Sequence, residues 1–376
     1  MVDKKKVYCL LIMKKVACIF NYSGLIIFYL SIISCSVSNL SLDIVRPADI
    51  DVPNHIQDIL IVNRSLPSKG NQVENILDGM LSGEGLGYDK NGSQKCVGGL
   101  NTILSQNINQ TSRFNILDGD SFMSGDRLKG TGTSIFPAPI KWKKIKKIFK
   151  NYDIDGLIVL ETFDSKSSII NAGLVEKIRF INKKKTKVQL IEAILNIEIQ
   201  AGWRIYDIKN EKIIDEKNII DQKSFSATDV TFEDAQKKLP QKHRAISETG
   251  FFAGEQYAFR ISPKKDRVKR VFYRKAKKSS KKENVAFKNA SHALKTNNIE
   301  KCASIWNDFV NHEDMQIAGR ACFNMALACE LKNNHNLAIE WIKKSIAYNN
   351  KKAIDYFTIL DNRKIEIKKV EQQLKK

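Results

Sequence analysis

Residues 193–215, AILNIEIQAGWRIYDIKNEKIID, decide how this chain folds. Ala193, Leu195, Ile197 and Ile199 alternate with Asn196, Glu198 and Gln200, the period of two that turns one face of a β-strand toward a core. Trp203–Asp207, a Lys209-Asn210-Glu211 turn and Lys212–Asp215 then predict a β-hairpin. The alternation extends over Lys187–Lys223.

Upstream, Asp58–Asn63 and Asp155–Leu160 read as short strands that are apolar on both faces, and Phe114–Leu117 as a third. Helices are expected over Asn71–Leu81, over Ser93–Gln106 with Ser93 as N-cap, and over Lys141–Lys150. In the last of these Trp142, Ile145, Ile148 and Phe149 form one stripe. A long helical segment near Phe232–Ile261 carries Gly250 and Gly254, paired small residues that let two elements approach closely, and Val268–Tyr273 reads as the last strand. These elements predict an α/β (α+β) fold, a mixed sheet with flanking helices.

Downstream of a basic linker at 275–283 (KAKKSSKKE) the chain reads as helical and repetitive. Ala290, Ala293, Asn297, Cys302 and Trp306 realign with Ala326, Cys329, Asn333, Ala338 and Ile342 at a shift of 36 residues. That is close to the period of roughly 34 of a tetratricopeptide repeat. Asn297-Asn298 and Asn333-Asn334 fall in the expected turns, and residues 351–361 read as a third, capping helix.

At the other end, Lys14 and Lys15 precede an apolar run from Val16 to Ile33, and Ile32-Ile33-Ser34-Cys35 closes it. A basic region, an apolar region and a small residue before the cut make a secretory signal. The cysteine resembles the +1 residue of a bacterial lipobox, which implies lipidation of Cys35. An uncleaved transmembrane anchor is the alternative, although Asn21, Tyr22, Ser23 and Gly24 interrupt a span that needs about 20 apolar residues. Met13 also reads as a start. The expected organisation is a signal at 1–35, a polar tether at 36–53, an α/β domain at 54–274, the linker, and helical repeats at 284–376.

The chain carries a formal charge of +21, and loss of residues 1–35 removes five lysines and one aspartate to leave +17. In the cytosol such a balance points to nucleic acid; export removes that reading and leaves anionic head groups. Of seven cysteines, four remain beyond Cys35, with no CxxC or Cys/His zinc spacing, so they read as small core residues.

No motif carries catalysis. Gly83-Glu84-Gly85-Leu86-Gly87 lacks the GxGxxG spacing and reads as a connection between helices. Asp118, Asp120 and Asp126 lack the spacing of a calcium loop. The five histidines are scattered, and neither HExxH nor GxSxG occurs. Glu161 and Asp164 follow the apolar run that ends at Leu160, the end of an α/β sheet where ligands often bind. No catalytic residue, metal site or cofactor is expected.

Together IVRPADIDVP, DILIVNRSLPSK, GEGLGYDKNGS, FPAPIKW, DGLIVLETFDS, GWRIYD and RISPKKDRVKRVFY resemble a family of Bacteroidetes lipoproteins, in which an α/β domain precedes tetratricopeptide-like helices. The resemblance implies an architecture and brings no activity to carry over. More loosely, the α/β part is similar to the N-terminal domain of TolB and to periplasmic domains of curli-channel subunits, which implies an envelope protein that recruits partners. Ser36-Val37-Ser38-Asn39-Leu40 has no acidic run, which implies retention on the periplasmic side of the outer membrane.

The expected function is therefore a non-enzymatic, lipid-anchored adaptor that binds an envelope protein or peptide. A small-molecule sensor or enzyme at the strand ends is one alternative, and a subunit of an outer-membrane assembly another. Aligning the repeats puts Phe287, Phe323 and Phe357 at one equivalent position, with Lys295 and Glu330 nearby. That face either grips a partner from a concave groove or docks onto the α/β domain.

Overall fold

The computed structural model describes residues 37–66, 87–108, 112–117, 135–150, 152–181 and 183–375. Cys35, the helix expected over Asn71–Leu81, Gly83–Leu86 and the aspartates at 118, 120 and 126 lie outside these residues. The chain forms two compact units, one of residues up to Ile44 with Arg267–Ile365, the other of Val45–Asp266 with the residues from Glu366 onward. The fold is an α/β mixed sheet with helices followed by an all-helical region.

The larger unit holds a five-stranded sheet of order β3-β2-β4-β5-β6. Its strands are β2 (Asp58–Asn63), β3 (Asn115–Leu117), β4 (Gly156–Ile181), β5 (Lys184–Asp207) and β6 (Lys212–Asp229). β2 runs parallel to both β3 and β4, and β4, β5 and β6 run antiparallel. The hairpin turn is where the sequence put it, with Asp207 opposite Lys212.

β4 does not end at Leu160. It runs on to Ile181, paired with β5 throughout, and a bulge between Leu160 and Thr162 re-aims its side chains. The polar run Ser165-Lys166-Ser167-Ser168 hid this extension, which the ladder with β5 carries onward from the buried Phe163 and Ser165.

Helix α1 (Tyr88–Leu104) starts five residues before the expected cap. Ser93 sits inside it, donating to the Lys90 carbonyl at 3.0 Å. α2 (Trp142–Phe149) buries Ile145 and Phe149. The segment expected as one long helix is two, α3 (Phe232–Lys237) and α4 (Lys242–Ile261). Pro240 stands between them and cannot extend the first.

α1 and α4 share one face of the sheet with Cys96, Leu100, Ile199, Trp203 and Tyr257, and α2 takes the other with Leu60, Val159 and Tyr206. α1 and α4 touch backbone to backbone. A Cβ at Gly254 would stand 1.8 Å from the Cys96 carbonyl oxygen, and one at Gly99 2.0 Å from that of Phe251.

The smaller unit contains most of β1 (Val37–Arg46) and β7 (Lys264–Tyr273), which pair as a two-stranded sheet. The stretch expected as a polar tether is thus largely a strand. Helices α5 (Lys281–Lys295), α6 (Ile299–Asn307), α7 (Met315–Leu331), α8 (His335–Ala347) and α9 (Lys352–Leu374) follow.

The repeated asparagines make the turns. Asn297 and Asn333 adopt φ of 58° and 57°, a left-handed conformation asparagine tolerates. Asn298 and Asn334 then cap α6 and α8, accepting from the amides of Lys301 and Leu337 at 3.0 and 3.2 Å. The basic linker is anchored at its start. Ala276 is fully buried, Lys277 exchanges main-chain hydrogen bonds with the Asn284 side chain, and its ammonium pairs with Asp314.

Candidate functional site at the ends of the parallel strands

The connection after β2 leads to β3 on one side, and β4 leads to β5 on the other. This switch point lies at the carboxyl end of β2, beside the bulge of β4, and a switch point is where open α/β sheets place ligands. A polar cluster occupies each face of the sheet there.

On the α2 side stands Glu161, on the bulge of β4 and 1 % exposed. Arg64, just beyond β2, donates to its Oε2 at 2.7 Å. Arg204 and Tyr206 lie two apart on β5, on the same face, and donate to Oε1 at 3.2 and 2.7 Å. Tyr206 also accepts from the Ile140 amide at 3.1 Å. Arg204 donates further to Glu216 at 2.6 Å and to the Pro137 carbonyl at 2.7 Å, and stacks over Phe136 at 4.4 Å.

Burial pushes the Tyr206 hydroxyl up, and the Glu161 charge pushes it further. Burial works against the Arg204 cation, but its bond to Glu216 and the charge of Glu161 outweigh this and hold it protonated. Both oxygens of Glu161 are thus engaged by fixed donors, which makes it a cross-brace between β2, β4 and β5. A general base needs a free lone pair aimed at a proton.

On the α1 side, Asn63 donates to Ser93 at 3.0 Å and accepts from the Ser65 amide and hydroxyl at 3.1 and 2.6 Å. Ser165 donates to Asp89 at 2.5 Å. Burial lifts the Asp89 carboxyl to about 6, the Ser165 bond opposes this, and Asp164 adds to it. At the far end of the sheet His55 stands 3.0 Å from Asp207, which also accepts from Asn210 and so closes the β5–β6 turn.

Among the described residues no group of three or more His, Cys, Asp or Glu could hold a metal ion, and no helix is long and apolar enough to cross a membrane. Cys96, Cys302, Cys322 and Cys329 are free, buried thiols, and burial pushes the last three up to about 11.

Of the residues expected to bind a partner, Phe287, Phe323 and Glu330 are sealed inside the helical unit. Phe287 and Phe323 are fully buried, because Phe287 packs on Phe309 and Phe323 on Tyr273 and Tyr356. Glu330 is 2 % exposed and held by Arg270 through three contacts of 2.8–3.1 Å, with Tyr356 donating at 2.6 Å. Phe357 is half-buried under Lys343, and Lys295 is exposed. The two aligned phenylalanines, Phe287 and Phe323, both face the core. Arg64, Arg204 and Tyr206 escaped the sequence reading. The available signal was a cation inside the otherwise apolar strand WRIY.

A family model described as Domain of unknown function (DUF8603) matches residues 56–273, and another, Domain of unknown function (DUF6340), matches residues 288–371. No curated protein matches the chain. The first match spans the sheet, both flanking helical layers and the Glu161 cluster, more than half of the sequence, and so the chain belongs to the DUF8603 family.

Proposed function

We propose that the protein is a non-enzymatic adaptor, lipid-anchored through Cys35 on the periplasmic side of the outer membrane, that recruits another envelope protein. The carrying observation is β6. It is an edge strand of 18 residues, where strands in globular proteins usually run about 3–10. An edge presents a row of main-chain donors and acceptors to an added strand.

Asn218, Ile220, Gln222 and Ser224 punctuate this edge with exposed polar and apolar side chains, which no helix covers among the described residues. The enzyme or sensor reading leaned on Glu161, whose oxygens are both engaged internally. The edge therefore replaces the Phe287–Phe323–Phe357 face as the recruiting surface.

Photoreactive residues placed at Ile220 and Gln222 of the full chain in cells test this. The expected result is one discrete adduct from both positions and none from Lys288 on α5. No adduct, or equal labelling from Lys288, overturns the reading.

A further inference from the structure

β6 ends opposite Ile191, whereas β4 and β5 continue past it as a pair, from Leu174 opposite Ile191 to Phe180 opposite Lys185. Seven residue pairs at about 3.4 Å each make a two-stranded arm about 24 Å long. Leu174, Ile178 and Phe180 fall on one face of it and are 69 %, 63 % and 71 % exposed. These are among the most exposed large apolar side chains of the described residues, and they lie in one row rather than scattered.

The arm is also strongly basic. Between Gly173 and Leu190 stand Lys177, Arg179, Lys183, Lys184, Lys185 and Lys187 against a single acid, Glu176, which pairs with Lys187 at 2.8 Å. Lys185 and Lys187 lie directly opposite Phe180 and Ile178, on the same face as the apolar row. At the base of the arm, Asp229 is occupied by Lys238 and by the field of Arg179.

We propose that this arm is a peripheral membrane-binding element that inserts Leu174, Ile178 and Phe180 at the boundary of an anionic lipid surface, with its cations on the head groups. The charge complementarity favours this occupant. Five of the six cations are lysines, point charges suited to a diffuse anionic surface rather than to bidentate recognition of a single carboxylate. A flexible-stemmed basic rim around exposed apolar residues is the composition of interfacial elements. The contact is independent of Cys35 and of the edge of β6.

The test uses the full chain carrying Phe180→Trp and vesicles with brominated acyl chains, which quench an inserted indole. Phosphatidylcholine vesicles containing phosphatidylglycerol are expected to quench the added emission, and pure phosphatidylcholine vesicles to leave it unchanged. Adding Lys177→Gln, Lys184→Gln and Lys185→Gln, all exposed, should raise the lipid concentration needed by about a hundredfold. Equal quenching by both vesicle types overturns the proposal, as does no quenching by the anionic ones. Concentration-dependent shielding of the added indole from an aqueous quencher, without lipid, also overturns it and assigns the row to a second copy of the chain.

Discussion

Each unit is built around one buried glutamate, and the two are braced differently. Glu330 of the helical unit has one arginine, Arg270, engaged on both oxygens, and Tyr356. Glu161 of the sheet unit has two arginines, Arg64 and Arg204, and Tyr206. Arg64 keeps partial contact with solvent and Arg204 has a second acid in Glu216, whereas Arg270 and Glu330 are nearly sealed. In both units the carboxylate is held by fixed donors rather than left open to react. Redundant cations fix Glu161 as firmly as a single bidentate partner fixes Glu330.

The comparison breaks most visibly at the single arginine. Arg270→Met leaves Glu330 as an uncompensated buried charge and should cost about 3–5 kcal/mol in denaturant unfolding. The double variant Arg270→Met/Glu330→Leu should recover much of that loss. If Arg270→Met unfolds like wild type, Glu330 is not sealed as described. Arg204→Met should cost less, about 2 kcal/mol, because Arg64 still neutralises Glu161 and Glu216 returns to water. Equal losses from the two substitutions would remove the redundancy argument.

The smallest effect sharpens the electrostatics around the sheet. Burial lifts both Asp89 and Asp221 to about 6, above their ordinary value near 4. The native state therefore binds more protons than the unfolded chain between about pH 4 and pH 6, and stability falls as pH rises through that window. With both groups partly open to solvent, the combined fall should be on the order of 1–2 kcal/mol. Asp89→Asn with Asp221→Asn should flatten it, and a slope unchanged by the pair would place the titration elsewhere.

Periodicity made the core of the sheet legible. Leu195, Ile197 and Ile199 face the helices, and Trp203 is fully buried against Tyr257 at a ring distance of 4.8 Å. Asparagine chemistry made the helical turns legible at Asn297 and Asn333. The extension of β4 was hidden because Ser165, although buried, is satisfied by Asp89 of α1, and the residues from Lys166 onward show no apolar alternation. β1 was hidden because its partner, β7, lies more than two hundred residues away, and nothing local marks such a pairing. The Glu161 cluster was half visible: the acid stands out after an apolar run, but its arginines come from β5 and from beyond β2. Phe287 and Phe323 show the converse, since repeat alignment finds equivalence without saying which face is covered.

Glu161 braces the fold, while recruitment happens at the edge of β6. Glu161→Gln tests it directly, with the melting midpoint and the cross-link yield from Ile220 read on the same protein. The expected result is a loss of about 2 kcal/mol and, well below the melting temperature, an undiminished adduct. Wild-type stability with a lost adduct would contradict it, and would make Glu161 a working residue.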